Sequence, residues 1–304
     1  MSFGTRLGSL QLTTLVLCGL VACNEAGDEF SGPRAPRFEA TSPGTPSPRL
    51  ALVLGSGGAR GFAHIGVLKV LEENAIRPDL IVGASVGAVV GVLYAGGMNA
   101  AQLEKLAYGL TLFDLFDFNM VLKEPASGRR TQELVAEHLG GRLIEQLPLP
   151  FAATATRVRD SALVIFNRGE PGVAARASAA SPGQFEPVRI SGEAYLDGDE
   201  ASPVPIRGAR QLGARVVIAV DVSAYAERTP AGMPGEWVRK DARRARQIAA
   251  EAPEADVMLH PDLGYFAGRS EEYRHRVIAA AERATRAKLP ALLAAAARAR
   301  SLAQ

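Results

Sequence analysis

The chain has 304 residues, of which 47% are hydrophobic and 22% charged, and its formal net charge is +2. This balance of 34 basic and 32 acidic residues disfavours the electrostatic capture of nucleic acid, so we expect no nucleic-acid partner. Two cysteines, Cys18 and Cys23, are too few and too close together for a disulfide framework or a structural zinc site. Packing therefore has to stabilise the fold.

Residues 1–22 are typical of a signal peptide. One positive charge at Arg6 precedes an apolar run over residues 7–22, which is too short and too polar to span a membrane. The sequence Leu-Val-Ala-Cys at 20–23 resembles a bacterial lipobox, in which the cysteine, here Cys23, is lipidated and becomes the new N-terminus. Asn24, where an aspartate commonly signals inner-membrane retention, favours the outer membrane with the domain facing the periplasm. The alternative is a simple secretory signal that is cleaved near Ala22.

Residues 23–49 predict a lipidated cysteine followed by a flexible tether. The segment after Cys23 holds five prolines among Gly, Ser and Thr, with almost no large apolar side chains. Burial of so little apolar surface cannot offset the entropy lost on ordering.

From Leu50 onward, short apolar runs bounded by glycines alternate with helical patterns, which predicts one α/β domain over residues 50–304. Such alternation implies crossover connections, a mostly parallel sheet and helices on both faces. The predicted strands are residues 50–54, 80–82, 151–158, 162–166, 216–222 and 257–259. The predicted helices are residues 61–74, 86–95, 99–110, 131–139, 236–250, 271–288 and 289–302.

The first predicted strand leads into a glycine-rich loop at residues 55–61, Gly-Ser-Gly-Gly-Ala-Arg-Gly. Consecutive glycines let the backbone amides point toward one spot, and a helix N-terminus adds partial positive charge, so the loop predicts a site for an anion or a developing oxyanion. A dinucleotide fingerprint requires a glycine three positions after Gly57, where Arg60 stands, and the Gly-Lys-Ser/Thr of a phosphate loop is missing. These mismatches disfavour a nucleotide-binding enzyme, while a tight structural turn remains an alternative.

The second predicted strand leads into Gly-Ala-Ser-Val-Gly at 83–87 and then into a helix. This order is typical of a nucleophile elbow, which exposes a serine hydroxyl, here that of Ser85, on a strained turn. Gly83 and Gly87 supply the small residues that such a turn needs two positions before and after the serine.

A serine nucleophile needs a base, and the chain offers two kinds. Among the four histidines only His260, at the end of a predicted strand, is a credible candidate, and the order Ser85, Asp221, His260 fits an α/β-hydrolase triad. The other kind is a carboxylate acting directly on the serine. Asp197, followed by Gly198 at the end of a short strand, is the candidate, although a bare Asp-Gly is more often a turn.

Together these motifs resemble the patatin-like phospholipase family over residues 50 to about 290. Residues 57–61 are similar to its Gly-Gly-x-Arg-Gly loop, Ser85 to its nucleophile, and Asp197 to the aspartate of its Asp-Gly-Gly or Asp-Gly-Ala motif. Residues 177–187 resemble the segment that precedes that aspartate. The resemblance implies a three-layer α/β/α fold and a dyad of Ser85 and Asp197, with no metal or cofactor. The implied oxyanion hole consists of Gly57, Gly58, Ala59 and Arg60.

The activity that this resemblance implies is hydrolysis of lipid acyl esters, with phospholipids or lysophospholipids as substrates, by a serine esterase tethered to a membrane through Cys23. Two positions depart from the family pattern. Ser56 stands where the commonest loop has glycine, but a serine amide can point the same way. Asp199 replaces a small residue, and a second carboxylate raises the pKa of Asp197 unless an arginine or solvent screens the pair. Asp199 therefore leaves open a non-catalytic envelope lipoprotein that binds lipid or a partner on the same fold.

Overall fold

A computed structural model describes residues 29–40, 47–109 and 125–302, besides Met1. The predicted signal peptide and Cys23 lie outside the described residues. The strands of the described chain are β1 (Glu29–Phe30), β2 (Leu50–Leu54), β3 (Leu80–Ala84), β4 (Phe151–Arg157), β5 (Leu163–Phe166), β6 (Val188–Ile190), β7 (Glu193–Asp197), β8 (Val216–Val220) and β9 (Val257–Leu259). They form one sheet in the order β1-β6-β7-β4-β3-β2-β8-β9, with β5 also paired to β4.

Helices cover both faces of this sheet. They are α1 (Ala63–Glu73), α2 (Val86–Ala95), α3 (Ala100–Gly109), α4 (Arg129–Leu139), α5 (Pro171–Ser178), α6 (Ile206–Gln211), α7 (Gly235–Glu251), α8 (Glu271–Ala287) and α9 (Leu289–Ser301). In the described ranges no helix combines the length and the apolar character needed to cross a bilayer.

The central strands are apolar along their whole length because they are covered on both sides. Strands β4, β3, β2, β8 and β9 run parallel, and β2, β3 and β8 are buried at every position. Side chains alternate between the faces: Leu52 packs in the core formed with α1, α2 and α8, whereas Val53 packs with Ile206 and Ala209 of α6. This three-layer α/β/α arrangement confirms the predicted fold class.

Helix α5 lies in a stretch for which the sequence predicts no element. All eight of its residues are buried, and most are small, so no apolar stripe distinguishes one face from another. Pro171 at its first turn is the local signal for its start. The predicted strand at 80–82 continues to Ala84, which brings the end of β3 to Ser85.

Residues 29–40 correct the prediction of a flexible tether. Phe30 in β1 pairs with Ile190 of β6, and further along, Nη2 of Arg34 lies 2.7 Å from Oε2 of Glu170. The amide of Glu39 donates to Oδ1 of Asn167 at 2.8 Å. Backbone pairing and hydrogen bonds thus hold a segment whose composition offers little apolar surface. The prediction is wrong for this stretch, while residues 41–46 lie outside the described chain.

Candidate active site

The register of three strands places Ser85 beside Asp197. Ala84, the last residue of β3, lies opposite Thr154 of β4. On the other edge of β4, Ala155 lies opposite Asp197, the last residue of the antiparallel strand β7. Neighbouring strands are about 4.8 Å apart, so two side chains can meet across one strand end. The hydroxyl of Ser85 donates to Oδ2 of Asp197 at 2.8 Å.

Ser85 occupies the strained turn that its motif predicts. Its φ of 55° and ψ of −128° lie in a region that costs a residue with a side chain on the order of 1–3 kcal/mol. A Cβ at position 83 would lie 2.5 Å from the backbone of Ala88, and one at position 87 would lie 2.0 Å from the carbonyl oxygen of Leu54. Both positions therefore require glycine, and the tight packing holds the turn in place.

A residue that sequence reasoning did not single out also holds the elbow. Oγ of Ser178, the last residue of α5, accepts a hydrogen bond from the amide of Ser85 at 2.9 Å. Ser178 is fully buried. Ser178 lies within residues 177–187, which resemble a segment of the patatin-like family, and this resemblance could have pointed to it.

The glycine loop lies against this elbow and presents free amides. A Cβ at position 61 would lie 2.3 Å from Cγ2 of Val86, so the loop contacts the residue that follows Ser85. In the described part of the chain, the amides of Gly57, Gly58 and Ala59 have no hydrogen-bond acceptor. Gly58 has a φ of 56°, which favours glycine. Three unpartnered donors in a loop that contacts the residue after Ser85 form a suitable place for a negatively charged oxygen.

Arg60 supports the loop instead of lining it. Its amide donates to the carbonyl of Gly57 at 3.2 Å and is therefore engaged within the loop. Its guanidinium group donates to the carbonyl oxygens of Gly264 and Tyr265. Of the four predicted oxyanion-hole residues, the structure thus leaves three with free amides and ties the fourth to a neighbouring loop.

His64, near the start of α1, is a structural residue that contacts the glycine loop. Its ring is fully buried, and Nε2 lies 2.9 Å from the carbonyl oxygen of Gly55, to which it donates. Burial lowers the pKa of His64 to about 4, so the ring is neutral at physiological pH. These contacts give His64 a packing role and leave it no part as a base for Ser85.

His260 is paired with its predicted carboxylate but not with the serine. Nδ1 of His260 lies 3.4 Å from Oδ2 of Asp221, and Nε2 lies 3.1 Å from the carbonyl oxygen of Ser223. The ring also stacks on Tyr225, with the ring centres 3.9 Å apart. Among the described contacts, no hydrogen bond joins His260 to Ser85. The three residues of the alternative triad are therefore not assembled.

The carboxylate of Asp197 sits in surroundings that favour its protonated form. It is 4% exposed, and burial, reinforced by the negative charge of Asp199, raises the pKa of Asp197 to about 7. The amide of Asp199 donates to Oδ1 at 2.9 Å and the Ser85 hydroxyl donates to Oδ2, which partly counteracts this rise. A group with such a pKa can accept and return a proton near neutral pH.

Asp199, the departure from the family motif, is neutralised by Arg244. Nε and Nη2 of Arg244 donate to the two carboxylate oxygens at 2.8 and 2.6 Å, and the hydroxyl of Ser56 donates to Oδ1. Burial raises the pKa of Asp199, but the charge and hydrogen bonds of Arg244, the hydrogen bond from Ser56 and the charge of Lys240 together outweigh burial and keep that pKa below its ordinary value. Asp199 is thus an ionised, paired carboxylate that connects the glycine loop, Asp197 and α7.

No local signal in the sequence identified Arg244. Helix α7 carries five basic residues within eight positions, residues 239–246, and their spacing does not tell which one turns inward. The sequence did raise the possibility that an arginine screens the two aspartates, and the fold supplies one from a helix 45 positions away.

The protein has a three-layer α/β/α fold. Its site combines a serine on a nucleophile elbow, a carboxylate bonded to that serine and a glycine loop with free amides. Together these features define the class of protein. The family model of patatin-like phospholipases matches residues 52–210, which is more than half of the chain. The chain therefore belongs to the patatin-like phospholipase family.

Comparison with known proteins agrees with this assignment. An uncharacterised NTE family protein of Mycobacterium tuberculosis is 36% identical over 207 residues, which cover 66% of this chain and 57% of that protein. A lysophospholipase of Coccidioides immitis is 34% identical over 202 residues, covering 62% of this chain and 13% of that protein. The chain thus spans little more than half the length of the mycobacterial relative.

One solved structure shares the fold. VipD from Legionella pneumophila superposes with a TM-score of 0.57 over 86% of this chain and 70% of that chain. The sequences are 14% identical, so this likeness concerns the fold alone.

Proposed function

We propose that this protein is a serine hydrolase of lipid acyl esters. The observation that carries the proposal is the 2.8 Å hydrogen bond from Oγ of Ser85 to Oδ2 of Asp197. The glycine loop, which contacts the elbow at Val86, adds three amides without acceptors. Family membership supports the same chemistry, and one relative is named a lysophospholipase. We therefore assign phospholipids or lysophospholipids as the substrate class.

In the first half-reaction, Oγ of Ser85 attacks the ester carbonyl carbon while Asp197 accepts the hydroxyl proton. The carbonyl oxygen becomes negatively charged and is held by the amides of Gly57, Gly58 and Ala59. When the tetrahedral intermediate collapses, the ester C–O bond breaks and the alcohol leaves with the proton from Asp197. Water then attacks the acyl-enzyme while Asp197 accepts its proton. The bond between the acyl carbon and Oγ of Ser85 breaks, Asp197 returns the proton to Oγ, and the fatty acid is released.

The contacts of Asp199 disfavour a non-catalytic version of the fold. An unscreened carboxylate beside Asp197 was the reason to consider one, and Arg244 supplies the missing countercharge. The hydrogen bond between Ser85 and Asp197 persists beside that ion pair. The alternative triad is disfavoured because both ring nitrogens of His260 face other groups.

The first experiment is covalent labelling with a fluorophosphonate, which phosphonylates only an activated serine hydroxyl. We expect one adduct per folded chain, located at Ser85 by mass spectrometry of the digested protein. Ser85→Ala should abolish the adduct, whereas Ser181→Ala, at a serine whose side chain makes no hydrogen bond among the described contacts, should retain it. A folded protein that takes up no label at Ser85 rejects the proposal.

The proposal includes a membrane tether at Cys23, a residue outside the described chain, with the outer membrane and a periplasmic orientation as its location. The lipidated cysteine of a bacterial lipoprotein carries three acyl chains, which suffice for stable anchoring, whereas a single chain does not. In a bacterial host we expect labelled palmitate to be incorporated into the chain and to be lost in Cys23→Ser. A matched Cys18→Ser variant should keep the label, because the predicted cleavage removes that residue. Equal labelling of both variants, or of neither, contradicts the tether.

A further inference from the structure

Three large apolar side chains are exposed on one side of the domain. Phe266 is 66% exposed, Trp237 52% and Val238 43%. Apart from Met1, the two aromatic residues are the most exposed large hydrophobic residues of the described chain. Exposed apolar side chains that adjoin one another in a patch commonly mark an interaction surface.

These side chains belong to one surface although they come from two segments. The ring of Phe266 contacts the ring of Tyr265 edge-on, with the centres 5.1 Å apart. The hydroxyl of Tyr265 donates to Oδ2 of Asp241 in α7 at 2.7 Å. Asp241 follows Trp237 by four residues and Val238 by three, and residues at these spacings are neighbours on a helix surface. We call Trp237, Val238 and Phe266 the entrance patch.

The entrance patch adjoins the candidate active site through both of its segments. The loop that carries Phe266 accepts hydrogen bonds from the guanidinium of Arg60, which supports the glycine loop. Helix α7, which carries Trp237, also provides Arg244 to Asp199. Arg244 follows Trp237 by seven positions, which corresponds to ~10 Å along the helix axis. A surface that contacts the patch is therefore held close to Ser85.

The charge around the patch indicates what covers it. Residues 235–246 contain two acidic side chains, Glu236 and Asp241, and five basic ones. Two of the basic side chains are paired with acidic residues, whereas Arg239 and Lys240 form no salt bridge or side-chain hydrogen bond within the described chain. Tryptophan next to arginine and lysine is the combination that settles at the boundary of a bilayer, where the ring reaches the acyl region and the cations meet anionic headgroups.

We propose that the entrance patch inserts into the surface of a bilayer that contains anionic lipids, with Arg239 and Lys240 contacting the headgroups. This contact presents the active site directly to lipid substrate, a consequence that rests on the proposed function. Insertion itself depends only on the patch and is independent of catalysis.

The chain provides its own reporter, because Trp237 is its one tryptophan. We expect its fluorescence to move to shorter wavelength when the full-length chain is mixed with vesicles of phosphatidylcholine and phosphatidylglycerol, and to be quenched by lipids with brominated acyl chains. Pure phosphatidylcholine should give a smaller change, and added salt should weaken the binding. Unchanged Trp237 emission on anionic vesicles overturns the proposal.

Substitutions in the patch distinguish its insertion from binding of vesicles by the N-terminal segment, because that segment is identical in all the variants compared. Phe266→Ser should weaken binding to anionic vesicles by about tenfold, as expected for loss of one buried aromatic ring. Leu293→Ser, at a residue that is 42% exposed on α9, is the matched control and should leave vesicle binding unchanged. Equal effects of the two substitutions contradict the proposal.

Two further measurements test whether the patch joins two copies of the chain and whether the protein hydrolyses esters. If Phe266→Ser instead converts a dimer to a monomer in analytical ultracentrifugation, with no change in vesicle binding, the patch is a contact between copies and the proposal is wrong. Hydrolysis of a water-soluble short-chain ester by the unaltered protein is measured in parallel. Its absence counts against the proposed function, whereas vesicle binding alone decides the patch.

Discussion

We expect Asp197→Asn to lower kcat for ester hydrolysis by about 10³-fold, which is the contribution typical of a well-placed general base. An asparagine side chain can still accept the hydrogen bond from Ser85, but it cannot take up the proton as the serine attacks. The remaining activity derives from the amides of Gly57, Gly58 and Ala59, which stay in place. Initial rates with a soluble ester, measured at pH 8, where Asp197 is mostly ionised, give the effect.

The matched control for this prediction is His260→Gln, which removes the only base of the alternative triad. Because His260 contacts Asp221 and Ser223 and not Ser85, we expect its replacement to leave kcat within the same order of magnitude. An inactive His260→Gln combined with an active Asp197→Asn assigns the base to the histidine and rejects the dyad.

Stability measurements show whether lost activity means lost structure. The folded-state pKa of Asp197, about 7, lies above the value of about 3.9 for an unfolded chain, so folding favours the protonated carboxyl group. Its contribution to stability is present below pH 4 and disappears as pH rises through 7. At pH 8 the asparagine variant lacks this buried charge, and its Tm should equal or exceed that of the unaltered protein. If the Tm of Asp197→Asn is lower than that of the unaltered protein, its loss of activity is explained by unfolding.

The parts of the site that the sequence predicted are those set by local structure. A strand, a tight turn and a helix determine the conformation of Ser85, so Gly83 and Gly87 at fixed spacing are sufficient to locate it. The conformation of the loop at residues 55–61 is likewise determined by residues close to it in the sequence. Asp197 is different, because 112 positions separate it from Ser85 and the pairing of β3, β4 and β7 brings them together. Asp197 was identified by its resemblance to a family motif, because no rule of sequence spacing links it to Ser85.

The parts that the sequence missed depend on tertiary contacts without a periodic signal. Helix α5 is buried on all sides and consists mostly of small residues, so no face stands out. Residues 29–40 are held by backbone pairing with β6 and by side-chain hydrogen bonds, and composition does not report these interactions. Arg244 is one of several basic residues on α7, and only the packing of that helix aims it at Asp199.

The pH dependence of catalysis tests the electrostatic role of Asp199. Only ionised Asp197 can accept the serine proton, so kcat/KM should rise with pH and reach half its maximum near pH 7. Asp199→Asn removes a negative charge that raises the pKa of Asp197 and leaves the charge of Arg244 unpaired beside it, and both changes favour ionised Asp197. We therefore expect the acid limb of the profile to move down by about one pH unit or more.

Glu200→Gln is the matched control for this shift, because it removes one acidic charge at the adjacent position. Glu200 is paired with Arg243 at 2.6 Å, and its charge is not among the causes that shift the pKa of Asp197. Its profile should keep a midpoint near pH 7. The backbone amide at position 199 and the hydroxyl of Ser56 remain as donors in Asp199→Asn, so the local hydrogen bonds can persist. An acid limb that stays near pH 7 in Asp199→Asn, or that moves equally in both variants, shows that the charge of Asp199 does not set the ionisation of the base.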